Sequence, residues 1–250
     1  TPDLFQVEGV VGTATTLNEV GEPVIVVYLA EALPKGIISE SFDGVPVVTE
    51  VTGVFRAMKT VTSSHTAKQV APIQLGTSGG WRYDLANGYC CGGTLGSLIL
   101  KGGTQYVMSN YHVLEADIVA GGNSRVATAG DPVIQPGLID VGCVATNAQD
   151  VATLAGIKSL PGSNVDAAIA AVIPGMVRTD GAILEIGTIS ASTVAAYVGQ
   201  PVKKSGRTTG LTRSTVSGLN ATVSITYETE CAGTTAFTKT FTGQIMVANR

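Results

Sequence analysis

Apolar runs in this chain are short, and glycine interrupts nearly all of them. From residue 91 onward TLGSLIL, TQYVMSNYHVL, DPVIQPG, VDAAIAAVI, QPVKKSG, ATVSITYE and GQIMVAN follow one another with Gly-rich turns between them. Runs of this length suit strands better than long helices, and their regular spacing with turn punctuation predicts a sandwich or barrel. The segments FQVEGVVGTA (5–14), PVIVVYLA (23–30) and DGVPVVTEVTGVF read as three more strands, rich in β-branched residues and broken by Gly and Pro. Composition agrees: Gly reaches 31, charged residues make up only 14%, and mean hydropathy is +0.32. That is the profile of a compact, turn-rich β protein, and 250 residues suffice for one large domain or two smaller ones.

Helix signals are sparse. EALPKGIISESF holds a Pro and a Gly, which limit any helix between the N-terminal strands to a turn or two. TNAQDVATLAGIKSL has a candidate cap in Asn147, and SASTVAAYVG opens on Ser190 and stops at Gly199, so both are expected to be helical. The segment AMKTVTSSHTAKQVAPIQ is polar and weakly periodic, as a linker would be. The expected organisation is a small α/β module over 1–60, a linker over 61–74 and a β-barrel domain over 75–250. His65, inside that linker, is expected to be solvated.

Several function classes are disfavoured. Net charge is −4 and the 15 Lys and Arg are scattered singly, so no basic stripe points to nucleic acid. No apolar run approaches the roughly 20 residues of a membrane span, and TPDLFQVEGV lacks the basic and apolar regions of a signal peptide. A leader already removed would look the same, so the compartment stays open. Cys90, Cys91, Cys143 and Cys231 allow up to two disulfides or buried thiols, and the neighbours Cys90 and Cys91 can bond to each other only with strain. No C-x-x-C or H-x-x-x-H spacing suggests zinc, and no cofactor is implied.

The chemistry-bearing segment is CGGTLGSLILKGGTQYVMSNYHVL (91–114). It resembles the first barrel of the chymotrypsin-fold serine proteases, in which a CGGSLI-like strand is followed by a second strand, a short turn and the catalytic His. The resemblance puts His112 in that role. Asp166 opens the apolar run VDAAIAAV, which resembles the family's DIAL-type segment, and is the expected partner that holds the imidazole tautomer. Asp140, in the turn QPGLIDVG, is its rival. GQPVKKSGRTTGLTRSTV (199–216) resembles the opening of the second barrel in bacterial trypsin-like proteins, and IQPG and the N-terminal pattern fit the same group. Arg207 in that segment is expected to be structural, its fork of donors hydrogen-bonded to loop carbonyls.

The family order is His, Asp, Ser, with the nucleophile in a GDSGG or GDSGS loop of the second barrel. GTSGG (76–80) resembles that loop but precedes His112 and carries Thr77 where the family has Asp, so Ser78 is expected to be a bystander. Ser205 and Ser217 have Gly neighbours but lie before the second barrel could close, and no GDSG occurs in the sequence. The resemblance therefore implies a chymotrypsin-like double β-barrel whose second barrel is incomplete, with the serine expected beyond Arg250 and the chain ending there expected to be inactive. The implied partners are a protein or peptide substrate and, for an open sheet edge, the chain's own C-terminal segment or a second copy. The alternative is a non-catalytic relative that binds peptides without cleaving them.

Overall fold

The computed structural model describes residues 2–55, 63–86, 89–114, 127–156, 160, 162–227 and 237–248. The strands are β1 (Val10–Leu17), β2 (Pro23–Leu29), β3 (Ser41–Phe42), β4 (Val45–Val51), β5 (Thr77–Trp81), β6 (Leu85–Ala86), β7 (Tyr89–Cys90) and β8 (Gly93–Leu95). They continue as β9 (Ser97–Lys101), β10 (Thr104–Ser109), β11 (Pro132–Gln135), β12 (Gln149–Leu154), β13 (Ala168–Val172), β14 (Pro201–Gly206), β15 (Gly210–Tyr227) and β16 (Phe237–Val247). Two single-turn helices, α1 (Ser63–Thr66) and α2 (Tyr111–Leu114), complete the regular elements that matter here. The fold is mainly β, as the short punctuated runs predict.

One seven-stranded sheet has the order β8-β5-β11-β12-β13-β10-β9. Its β9–β10 hairpin is closed by Gly102 and Gly103, both at positive φ (58° and 81°), with Lys101 opposite Thr104. That two-residue turn matches the right-handed strand twist and is open to glycine at little cost. The second seven-stranded sheet runs β14-β15-β1-β2-β4-β3, with β16 also on β15. Within it β1 pairs antiparallel with β15, Gly12 standing opposite Val223, while β2 and β4 are parallel. One buried apolar core joins the two sheets, from Val26 and Tyr28 through Trp81, Leu95 and Val107 to Val223 and Phe241.

The expected boundary at 61–74 is not a boundary between sheets. The N-terminal strands β1, β2 and β4 share their sheet with β14, β15 and β16, so 1–60 is not a separate module, and no α-helix lies among its described residues. The reason is pairing across the chain: β1 fills a ladder that β15 leaves open, a relation absent from either segment alone. Part of the linker, 56–62, falls outside the described residues.

The other helix expectations also change. The stretch 31–42 forms turns and then β3. Residues 149–154 are β12, flanked by β11 and β13, with Val151, Ala152 and Leu154 buried; a short apolar run does not distinguish a buried strand from a helix. Residues 190–199 are irregular and exposed, Val194 by 77%, so no apolar face exists there to stabilise a helix. A disulfide joins Cys90 to Cys143, and Cys91 is also disulfide-bonded. Cys231 lies outside the described residues.

Candidate active site

Strand register brings the two sequence motifs together. β10 and β13 are antiparallel with Ser109 opposite Ala168, so the residues after Ser109 and those before Ala168 leave the sheet at the same end. Asn110 and α2 follow the first strand, and Asp166 precedes the second. Asn110 Nδ2 donates to the Asp166 carbonyl at 3.1 Å. The Asp166 Oδ1 accepts from the backbone N–H groups of Tyr111 (2.7 Å) and His112 (3.3 Å).

Glycines set how deeply α2 seats. A Cβ on Gly93 would stand 2.4 Å from Val113 Cγ2, and one on Gly80 would stand 3.3 Å from the Val113 carbonyl oxygen. The close approach of β8 and β5 to α2 therefore requires residues without side chains. Tyr111, Val113 and Leu114 are buried by it, which leaves His112 as the α2 side chain turned partly to solvent, 29% exposed.

His112 Nδ1 lies 2.6 Å from Asp166 Oδ2. A carboxylate only accepts, so Nδ1 carries the proton, and in the neutral ring Nε2 keeps a lone pair. Burial alone would push the Asp166 carboxyl up, but hydrogen bonds from His112, its charge and the Tyr227 hydroxyl outweigh it and hold the group below the usual carboxylate range. Tyr227 Oη donates to Asp166 Oδ2 at 2.9 Å, and its ring meets the imidazole edge to face, centroids 5.5 Å apart. Burial, followed by the negative charge of Asp166, pushes the Tyr227 phenol well above its ordinary range, so the hydroxyl remains a donor.

His112 and Asp166 open onto a cleft of about 550 Å³ walled by Phe55, Val223, Ile225, Tyr227, Phe241 and Met246. Val223, Ile225 and Tyr227 alternate along β15 and thus share a face. Asn164 fastens the far wall. Its amide donates to the Thr242 carbonyl (2.9 Å) and accepts from the Thr242 N–H (2.8 Å), satisfying backbone groups of β16 beside a break in its register with β15. Among the described residues lining the cleft there is no Ser, Thr or Cys.

The remaining sequence candidates stand elsewhere. Ser78 is 0% exposed, and its hydroxyl donates to Asp140 Oδ2 at 2.5 Å while accepting from the Gly137 N–H at 3.0 Å. GTSGG is a buried strand whose glycines permit close packing: a Cβ on Gly79 would lie 2.4 Å from Leu95 Cγ. Asp140, the rival acid, is taken by Arg207, which grips both its oxygens through Nε (2.6 Å) and Nη2 (2.7 Å). Arg207 is thus bonded to a buried carboxylate rather than to loop carbonyls, and its N–H also donates to Thr94 Oγ1.

His65 is not solvated. It is 1% exposed, with Nδ1 2.8 Å from the Gly76 carbonyl oxygen and Nε2 2.6 Å from Glu185 Oε2. Its polar flanks suggested a surface, but a backbone carbonyl and a carboxylate from other elements give both ring nitrogens polar partners inside the fold. Tyr227 and Asn164 were not singled out from the sequence. The one available signal for Tyr227 was the period-2 alternation of ATVSITY, which places it on the same face as two aliphatic residues.

No family profile matches the chain, and no curated protein matches it. Among solved structures, the chain is similar to one described as "A glutamic acid specific serine protease utilizes a novel histidine triad in substrate binding", at 20% identity and a TM-score of 0.37 over 69% of this chain and 83% of that one. An overlap that loose carries no weight for the chemistry, which rests on the geometry above.

Proposed function

We propose that this protein is a serine endopeptidase of the chymotrypsin-like, trypsin-related kind, in which His112 is the general base and Asp166 orients it. The observation that carries the reading is the Nδ1–Oδ2 contact of 2.6 Å on a carboxylate whose other oxygen is fixed by two backbone N–H groups. That arrangement fixes the ring and its tautomer and leaves Nε2 as the basic nitrogen at a cleft. As a serine Oγ attacks a peptide carbonyl, Nε2 takes the hydroxyl proton and the C–O bond forms. The resulting imidazolium is stabilised by Asp166 and gives the proton to the leaving amine as the C–N bond breaks. Water then repeats the sequence on the acyl-enzyme, returning the serine and its proton.

The nucleophile and the donors of the oxyanion hole come from outside the described lining of the cleft. The apolar walls of the cleft favour a second reading, a non-catalytic module that holds an apolar peptide against Val223, Ile225 and Phe241 without cleaving it. Hydrolysis of a mixed peptide substrate by the full gene product separates the two. H112A and D166N are each expected to lower kcat by on the order of 10⁴-fold with the fold intact. Binding of peptides with no hydrolysis above background, unchanged by either substitution, would leave only the second reading.

A further inference from the structure

Asp166 is held from both sheets. Three contacts to its carboxylate come from α2, at the end of β10: the N–H groups of Tyr111 and His112 on Oδ1 and the imidazole on Oδ2. The fourth, the Tyr227 hydroxyl on Oδ2, comes from the end of β15 in the other sheet. Tyr227 also packs its ring edge to face on the His112 imidazole, at an interplanar angle of 62°. Tyr227 is 5% exposed, so its hydroxyl is shielded from bulk water.

We propose that Tyr227 is a positioning residue for the His112–Asp166 pair: its hydroxyl fixes the carboxylate oxygen that His112 uses, and its ring limits the tilt of the imidazole. This inference rests on the reading of His112 as general base. Its consequence is that β15 sets the orientation of a base that β10 and α2 carry, so the catalytic geometry depends on the two sheets being joined. With the hydroxyl present, Oδ2 is shared between two donors and its charge is partly neutralised. Without it, Oδ2 interacts with His112 alone, and the Nδ1–H···Oδ2 bond must change in strength and angle.

Y227F removes the hydroxyl and keeps the ring, so it isolates the hydrogen bond from the packing. The chain has only two histidines, and in protein labelled with ¹⁵N-histidine the Nδ1 proton of His112 is assigned by its loss in H112A. The expected result is a low-field Nδ1 proton in the unmodified protein that moves in Y227F, with the His65 signals unchanged and kcat reduced about tenfold at unchanged KM. A signal present in the unmodified protein and unmoved in Y227F, with kcat unchanged, overturns the role of Tyr227 and leaves the His112–Asp166 reading standing. No low-field His112 signal in the unmodified protein overturns both. Should Y227F not fold, fluorotyrosine placed at 227 strengthens the donor while keeping the ring and must move the same signal; if it does not, the inference falls.

Discussion

Two carboxylates, Asp140 and Asp166, compete in the sequence for the role of orienting acid, and the fold gives them different partners. Asp140 is gripped by the Arg207 fork and capped by Ser78, a buried pair built for permanence because a guanidinium does not release its proton. Asp166 faces an imidazole, which does. Its folded pKa lies below its ordinary value, so the ionised carboxylate adds stability at any pH above the unfolded value of about 3.9. That contribution is lost as pH falls through the depressed folded value. Denaturant unfolding across the acid range is therefore expected to show a stability difference between the unmodified protein and D166N that shrinks below about pH 4; a constant difference would contradict the pairing. His112 and Asp166 were singled out as candidates because each stands at the end of an apolar run, in a short motif that carries the family resemblance. His65, Asn164 and Tyr227 were not, since each is defined by a partner between 61 and 120 residues away.

At the scale of the element, the close packing of α2 is what turns a His in a sequence into a His at a cleft. The glycines of GTSGG resemble catalytic-loop glycines in the sequence, but in the fold Gly79 lets β5 approach Leu95, as Gly93 of CGGTLG lets β8 approach Val113. G93A would drive a Cβ to 2.4 Å from Val113 Cγ2, forcing α2 outward. The expected cost is about 1–3 kcal/mol of stability, with a fall in kcat larger than the same loss of stability produces elsewhere in the core. Adding V113A makes room and is expected to restore most of both, as measured by unfolding and steady-state kinetics. No recovery in the double variant would mean that Gly93 serves something other than this contact. Strand identity was legible from the short β-branched runs. Helices were misread at 149–154 and 190–199 because burial on two faces in the first, and the lack of any buried face in the second, are properties of neighbours.

For the whole molecule, the lesson is that order along the chain does not follow order in the sheets. Val10–Leu17 pairs with Gly210–Tyr227 across almost the full sequence, so an apparent N-terminal module is a layer of the C-terminal sheet. Composition shifts marked the polar segment 57–74, yet its His65 is fastened to Gly76 and Glu185, tying α1 to the residue before β5 and to the turn spanning 183–187. The cleft inherits this arrangement, with Phe55 from one end of the chain facing Val223 and Phe241 from the other. The central claim is that His112, oriented by Asp166, activates a serine at this cleft. Its most direct test is to treat the full gene product with a fluorophosphonate probe and locate the adduct by intact mass and peptide mapping. One adduct is expected, on a serine other than Ser78, whose formation slows by on the order of 10⁴-fold in H112A. An adduct on Ser78, or labelling that is indifferent to His112, would contradict it.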